Sequence, residues 1–415
     1  MNKTTRLATA ALVTAFCMTS AACGTQIGPL KASPVANLQV QAPTGSQASA
    51  VTEFGERLYS QAIVGQKNAV ISPLSAFTAL GMAYEGAAGS TAQAFQDVLG
   101  MSPAEARSVV AYLLATWQAN NSGTTVTAAN SAWLDKSLTV EQGWVDRLKA
   151  YYGAEVYSTS LGDPSTVGQV NGWVKNKTKG LIPQMMDDID PDAVALLVNA
   201  LYLDAAWTQP FDTNLTHQDT FTRADGSSVD AWYMTEQPAD ARYLHTDDAD
   251  GIVLPYKDGR LAFMAVMPTS GDLSLQPGTL AGWLSAATSN SQVVLTMPKF
   301  HTEFGLDLAA SLATLGLGVA EDPATADFSG IGSSAAGPLY ISRVLQKVSM
   351  DVGEKGTKAA AATVVEVRAG AGQVQDTVYL NFNQPYVYAV VDQVTGVPLF
   401  IGAMDDPSLA PPTAK

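Results

Sequence analysis

Few side chains in this sequence have both the type and the spacing that catalysis or metal binding requires. The chain has three histidines, His217, His245 and His301. None belongs to an H-E-x-x-H motif, which places two imidazoles on one face of a helix to bind zinc. No G-x-S-x-G motif offers an activated serine, and no G-x-x-x-x-G-K-[ST] motif offers a phosphate-binding loop. The sequence therefore predicts no catalytic residues, no bound metal and no cofactor.

The spacing of apolar residues predicts helices early in the chain and strands late. Val51, Phe54 and Leu58 share one helical face, whereas residues 195–207 are apolar on both faces, as in a central strand. The other predicted helices are 74–87, 91–99, 103–119, 141–152 and 306–316, and the other predicted strands are 69–72, 251–255, 261–267, 292–297, 345–352 and 377–391. Because no repeat or internal linker divides these elements, the pattern indicates one large α+β domain.

The composition is that of a globular protein with an excess of acidic residues. Hydrophobic residues make up 47% of the chain and charged residues 15%. The formal charge is −15, from 38 acidic and 23 basic side chains. This charge argues against a nucleic-acid partner, because binding nucleic acid requires clustered Lys and Arg to displace counterions. The acidity is explained by the solubility that an exported protein needs.

The first residues resemble an export signal. Lys3 and Arg6 precede a short apolar run, and residues 20–23, "SAAC", resemble the cleavage box of bacterial lipoproteins, in which Cys23 would be lipidated. Ser20 stands where that box usually has Leu, so ordinary cleavage is the alternative. We expect a signal peptide at 1–22, a lipidated Cys23 with a flexible tether over 23–49, and the folded domain at 50–415. The protein would be a cell-surface lipoprotein or secreted.

Five segments, in order along the chain, resemble the serpin family. They are "NAVISPLSAFTALGMAYEGAAGST", "ALLVNALYLDAAW", "MPKFHTEFGLDLAASLATLGL", "VSMDVGEKGTKAAAAT" and "YLNFNQPYVYAVVDQVTGVPLFIGAMDDP". The resemblance implies an α+β fold of three β-sheets and about eight or nine helices, with an exposed reactive-centre loop at about 354–377. It implies a monomeric inhibitor rather than an enzyme. A target serine protease would attack the loop, form an acyl-enzyme and be trapped when the loop inserts into the central sheet.

The start of this loop, its hinge, has the side chains that strand insertion demands. Residues two apart in a strand face the same way, so one face would carry only small groups. The hinge residues are Glu354, Gly356, Thr357, Ala359, Ala360, Ala361, Ala362 and Thr363. In one register Thr357, Ala359, Ala361 and Thr363 face the core, and Lys358 faces water. Alanine also favours a helix, but the glycines before this run and the β-branched residues after it favour a strand.

The resemblance assigns two further groups of residues. Ser72, Ser75, Asn199 and Gln346 correspond to the shutter, where the sheet parts, with Gln346 in place of the usual histidine. Trp207, Lys299 and Glu354 correspond to the breach, where the loop enters, and Lys299 would pair with Glu354. Ordinary helix capping for the serines and simple core packing for Trp207 are the structural alternatives.

The family's loop length predicts which bond the protease attacks. Counting Glu354 as the first residue, the seventeenth is Gly370, which makes Gly370–Ala371 the predicted reactive bond. Arg368 and Ala369 are the alternatives. Small residues around Gly370 suit the shallow pocket of an elastase-like or subtilisin-like protease, whereas Arg368 would attract trypsin-like enzymes. A non-inhibitory surface binding module on the same fold is the alternative function.

Overall fold

The structure, a computed structural model, describes residues 28–33, 40–118, 123–190, 193–335, 337–357 and 377–412. Its helices within these ranges are α1 (Gly45–Ala62), α2 (Pro73–Tyr84), α3 (Gly89–Leu99), α4 (Pro103–Gln118), α5 (Gln142–Tyr152), α6 (Pro164–Lys177), α7 (Thr279–Ala286), α8 (Ala309–Leu312) and α9 (Gly318–Glu321). No helix in the described ranges is both long and apolar enough to cross a membrane.

The strands form three large sheets and one two-stranded pair. In chain order they are β1 (Val70–Ile71), β2 (Thr124–Asp135), β3 (Leu138–Val140), β4 (Glu155–Thr159), β5 (Ala195–Ala206), β6 (His217–Thr222), β7 (Ser228–Glu236), β8 (Arg242–His245), β9 (Ala249–Pro255), β10 (Leu261–Pro268), β11 (Gln292–Pro298), β12 (Phe300–Asp307), β13 (Gly332–Ser334), β14 (Leu345–Gly353), β15 (Gly356–Thr357), β16 (Thr377–Asn381), β17 (Tyr386–Asp392) and β18 (Pro398–Met404). The α+β class with three main sheets is as predicted.

The central sheet has the order β12-β14-β15-β5-β2-β4. The rear sheet has the order β1-β18-β17-β10-β9-β8, and the third sheet has the order β16-β11-β7-β6. One face of the central sheet joins the main core with the rear sheet and helices α1 to α5. The other face carries a smaller core, in which Val170 and Val174 of α6 pack against Trp133 of β2 and Val198 of β5. The central sheet is therefore sandwiched between α6 and the main core.

Local signals explain why α2 begins where it does. Ser72 caps the helix by accepting the backbone N–H of Ser75 at 3.2 Å, and Pro73 occupies the first helical position, where no N–H donor is needed. Almost every side chain of α2 is buried, so this helix lies inside the molecule. Its first turn lies beneath the central sheet, next to Asn199 of β5 and Gln346 of β14.

The N-terminal region differs from the predicted tether over 23–49. Helix α1 begins at Gly45, before the predicted domain boundary, because Thr44 and Gln47 form a capping box. Farther upstream the backbone N–H of Leu30 donates to the carbonyl of Val156 in β4 at 2.6 Å, and that of Ser33 donates to Asp146 Oδ1 at 2.8 Å. Part of the predicted tether therefore lies against the domain. Cys23 lies outside the described residues.

Two predicted elements are divided in the structure. The strand predicted over 377–391 is two strands, β16 in the third sheet and β17 in the rear sheet, because Pro385 follows a turn that cannot continue a ladder. The helix predicted over 306–316 begins only at Ala309, since Leu306 and Asp307 end β12. It also breaks at Gly316, whose φ of 119° is not helical.

Candidate functional site

Two of the predicted hinge residues, Gly356 and Thr357, form the short strand β15. This strand lies between β14 and β5 in the central sheet. Thr357 pairs antiparallel with Val352 of β14 on one side and with Ala205 of β5 on the other. Gly356 has a φ of 147°, and a Cβ there would lie 2.1 Å from the carbonyl oxygen of Ala205. Only glycine fits this position, because any side chain would collide with the neighbouring backbone.

Thr357 faces the core, as the alternation in the sequence predicted. Its side chain is 1% exposed and its hydroxyl hydrogen-bonds to the hydroxyl of Tyr256. Burial raises the pKa of Tyr256 far above its usual range, so the phenol stays neutral and can serve this bond. Burying a hydroxyl that has a hydrogen-bond partner costs little free energy. Burying a charged side chain at this position would cost much more, because the charge would lose its hydration. Ala359, Ala360, Ala361, Ala362 and Thr363 lie outside the described residues.

The turn between β14 and β15 is held by the predicted pair of Lys299 and Glu354. Lys299 Nζ lies 2.8 Å from Glu354 Oε1, and the hydroxyl of Thr216 donates to the same oxygen at 2.9 Å. Burial raises the pKa of Glu354, but the hydrogen bonds from Lys299 and Thr216 outweigh it and hold that pKa below the usual value. Glu354 is therefore a buried, fully charged anchor for the turn at neutral pH.

Trp207 supports the same turn from below. Its indole Nε1 donates to the carbonyl of Gly353 at 2.8 Å, and its backbone N–H donates to the carbonyl of Lys355 at 3.0 Å. The ring stacks on Tyr256 with centroids 4.8 Å apart, and only 3% of Trp207 is exposed. Trp207 is thus a core residue that also hydrogen-bonds to the backbone on both sides of Glu354.

The four residues assigned to the shutter form two separate connections to the start of α2. On the β14 side, Gln346 Oε1 accepts the backbone N–H of Ser72 at 2.9 Å and its Nε2 donates to the carbonyl of Ser72 at 2.8 Å. On the β5 side, Asn199 accepts a hydrogen bond from the hydroxyl of Ser75. Within the described residues no hydrogen bond joins Asn199 to Gln346. Each flanking strand is therefore fixed to α2 independently of the other.

Asn130 of β2 is a further member of this network that the sequence did not reveal. Its side-chain oxygen accepts from Asn199 Nδ2, and its own Nδ2 donates to the carbonyl of Tyr152 at 2.7 Å. Asn130 is 2% exposed. A single asparagine in a strand has no sequence signature, and only the pairing of Asn130 with Asn199 across β2 and β5 places the two amides together.

Below β15, the described residues contain no hydrogen-bond ladder between β14 and β5, which β15 separates in the strand order. At this end of the sheet β15 separates the two strands, but farther along residues of β14 and β5 lie close to each other, so an additional strand would have to part them there. Gly370, Ala371, Arg368 and Ala369 lie outside the described residues. Of the three histidines, His245 lies 2.8 Å from Asp250, His301 lies 3.7 Å from Glu303, and His217 Nδ1 lies 2.9 Å from the carbonyl oxygen of Leu215.

Comparison with known proteins agrees with this architecture. The family model described as "Serpin (serine protease inhibitor)" matches residues 49–407. The chain belongs to the serpin family. An uncharacterized serpin-like protein from Thermococcus kodakarensis is 28% identical over 86% of this chain and 85% of its own length. Alpha-1-antichymotrypsin from Pongo abelii is 28% identical over 88% of both chains.

Solved serpin structures share the fold over nearly the whole domain. The thermophilic serpin tengpin in its native state superposes with a TM-score of 0.83 at 29% identity, covering 92% of this chain and 100% of that one. β15 contains two of the predicted hinge residues, and the contacts of Glu354 and Trp207 lie where the breach was predicted. The family name describes inhibitors of serine proteases, which in general are not themselves catalysts.

Proposed function

We propose that this serpin is a suicide substrate for a serine protease. The protease attacks the reactive loop near Gly370–Ala371, the acyl-enzyme forms on the protease's own serine, and the cleaved loop inserts between β14 and β5. The protease is carried along before it can hydrolyse the acyl bond. The serpin supplies no catalytic group and no cofactor; it supplies a peptide bond and a sheet that can accept another strand.

The observation that carries this proposal is the antiparallel pairing of β15 with both neighbours. If the loop continued this strand, each further loop residue would pair with the preceding residue of β5 and the preceding residue of β14. Thr357 lies opposite Ala205 and Val352. Six residues later, Thr363 would lie opposite Asn199 and Gln346. The ladder begun at β15 would therefore run directly into the shutter, with Thr363 between the two side chains that hold α2.

The same register explains why the hinge is made of small residues. Ala359 would lie opposite Leu203 and Met350, which are buried in the described structure. Ala361 would lie opposite Leu201 and Val348, which are buried as well. Large side chains already fill this face of the sheet, so an entering strand must bring narrow ones.

Gly370–Ala371 follows from the family's loop length, and Arg368 is the rival position. An elastase-like or subtilisin-like protease would accept the small residues at the first site, whereas a trypsin-like protease would require Arg368. The proposed location is outside the cytoplasm, either on the cell surface through a lipid on Cys23 or free after secretion. These proposals share one requirement, which is that the loop must be accessible to a protease from outside.

The test is to mix the chain starting at Gly24 with subtilisin, elastase and trypsin separately and to analyse each mixture on a denaturing gel. A trapped protease gives a band that survives denaturant, at the summed mass of the two proteins less the released C-terminal peptide. The first residue of the released C-terminal peptide, read by mass spectrometry, identifies the reactive bond. Clipping by all three proteases, with each remaining active and no stable complex, would argue instead for a non-inhibitory binding module.

A further inference from the structure

An apolar cleft lies at the end of the central sheet opposite to β15. Its walls come from the first residues of β5 and of β14, including Leu197 and Leu345, and its floor comes from Leu80 and Ala83 of α2. Met186, in the chain that leads from α6 to β5, also lines it. The cleft has a volume of about 110 Å³. It therefore lies between the same two strands that the hinge separates at the other end.

The inner side chains of this cleft are apolar, and its polar lining residues include Asp188, Asp190, Ser342 and Arg343. The inner residues Leu80, Ala83 and Met186 are buried. Enclosed apolar cavities of roughly 150 Å³ bind one-ring hydrocarbons, because water there would lack its two to four polar partners. The inner part of this cleft therefore suits a small apolar molecule, which would displace water from the side chains that hold it least well.

The charges at its mouth disfavour an anionic ligand. Arg343 lines the cleft, and its guanidinium is 2.9 Å from Asp188 and 3.6 Å from Asp307. An incoming carboxylate or phosphate would bind this guanidinium beside two carboxylates, whose negative charges would repel it. Asp190 also lines the mouth. A neutral molecule crosses this rim without such a cost.

We propose that this cleft binds a small neutral apolar molecule, such as a one-ring aromatic hydrocarbon, and that binding slows opening of the central sheet. The bound molecule contacts β5 and β14 at the same time. Because an inserted strand separates these two strands, the ligand must leave before insertion is complete. The regulatory half of the inference rests on the proposed function, whereas the binding half stands on the cleft alone.

The size of the effect follows from linkage. A ligand that binds only the closed sheet reduces the opening rate by the factor 1 + [L]/Kd. At ten times Kd, loop insertion would slow about elevenfold. The same ligand would raise the thermal midpoint of the uncleaved serpin and leave the cleaved, inserted form unchanged.

Toluene is the probe, titrated into the intact serpin with calorimetry and thermal unfolding as readouts. Ala83→Leu fills the floor of the cleft, and Ala104→Leu is the matched control on the exposed face of α4. Should Ala83→Leu fail to fold, Ala193→Leu, at a partly exposed wall position, replaces it. We expect saturable toluene binding to the wild type and to Ala104→Leu, and its loss in the filled variant.

The rate of loop insertion is measured separately, as the rise in heat stability after the loop is cut. Equal toluene binding by the filled variant would overturn the site. Binding without slower insertion would overturn the regulatory role. If the cut serpin never gains heat stability, the proposed function fails, and the calorimetric result for the cleft is unaffected.

Discussion

Gln346 holds the backbone of Ser72 at both of its polar groups, accepting the N–H at 2.9 Å and donating to the carbonyl at 2.8 Å. One neutral amide thus fixes β14 to the residue that caps α2. An amide can donate and accept together without a change of protonation. The serpin chain therefore secures this side of the shutter with a group that does not titrate, where the family usually has a histidine.

Gln346→Ala removes both bonds and leaves the buried backbone N–H of Ser72 without a partner, whereas the carbonyl of Ser72 still accepts the N–H of Ala76 at 3.1 Å. We expect the free energy of unfolding to fall by about 1–3 kcal/mol, measured by urea denaturation. Gln218→Ala, at an exposed position of β6, is the control and should change it by less than about 0.5 kcal/mol. An equal loss in both variants would show that the contact with Ser72 has no special weight.

Gln346→His introduces a titratable group at the same place. The protonated imidazole has lost its acceptor and can no longer bind the N–H of Ser72. The rate of spontaneous conversion of this variant to a heat-resistant form should rise as the pH falls from about 8 to 5, because histidine ordinarily titrates near 6.5. The wild-type rate should stay flat over the same range. If the conversion rate of the wild type also depended on pH, a titratable group other than residue 346 would govern it.

Thr357→Arg tests whether the hinge must be buried. The position is 1% exposed, and an arginine there would lose its hydration without gaining a partner. We expect the variant to be cleaved at the same bond as the wild type but to release active protease, so that covalent complex falls at least tenfold. Thr220→Arg, at an exposed position of β6 outside the reactive loop, should inhibit normally. Trapping by Thr357→Arg at the wild-type level would contradict insertion.

Lys358 should assist the next step of insertion. Continuing the register from Thr357 places it opposite Asp204 of β5 and Asp351 of β14, on the outer face. Lys358→Glu would bring a third negative charge between these strands, so we expect the rate constant for protease inhibition to fall several-fold at low salt. The difference should shrink at 1 M salt, where screening is strong. Lys355→Glu, with the same charge change in the preceding turn, serves as the control.

The pair of Lys299 and Glu354 should stabilise the serpin only above acidic pH. Because the pKa of Glu354 is lower in the folded protein than its usual value of 4.5, the contribution is complete above that value. It is lost as the pH falls through the folded pKa. Lys299→Met should therefore be less stable than the wild type by about 1–3 kcal/mol at pH 7. The gap should narrow in urea denaturation below about pH 4.5; a constant gap would point to packing alone.

The sequence was most informative where two or more of the serpin-like segments meet at the same part of the fold. The pairing of Lys299 with Glu354 was expected, and the atoms lie 2.8 Å apart. The inward direction of Thr357 was also expected, because strand alternation leaves only two choices. The early helices were located to within a few residues, since Ser72 and Pro73 give an unambiguous start.

Contacts between distant strands could not be read in the same way. Asn130 contacts Asn199 only because β2 pairs with β5, which the sequence does not reveal. Strand β2 itself was not predicted, because its mixed small and polar residues lack clear alternation. Helix α6, with interior Gly168 and Gly172, was missed because glycine lowers helix propensity. It forms because Val170 and Val174 pack on the sheet, and packing overrides propensity.

The thermal midpoint of unfolding before and after a single cut in the reactive loop tests loop insertion most directly. The cut is made with a protease that leaves the rest of the chain intact, and both samples are heated at the same rate. Insertion adds a fully paired strand to the central sheet, so the cut protein should unfold at a much higher temperature, and Thr357→Arg should show no such rise. An unchanged midpoint in the wild type after cleavage would contradict the mechanism.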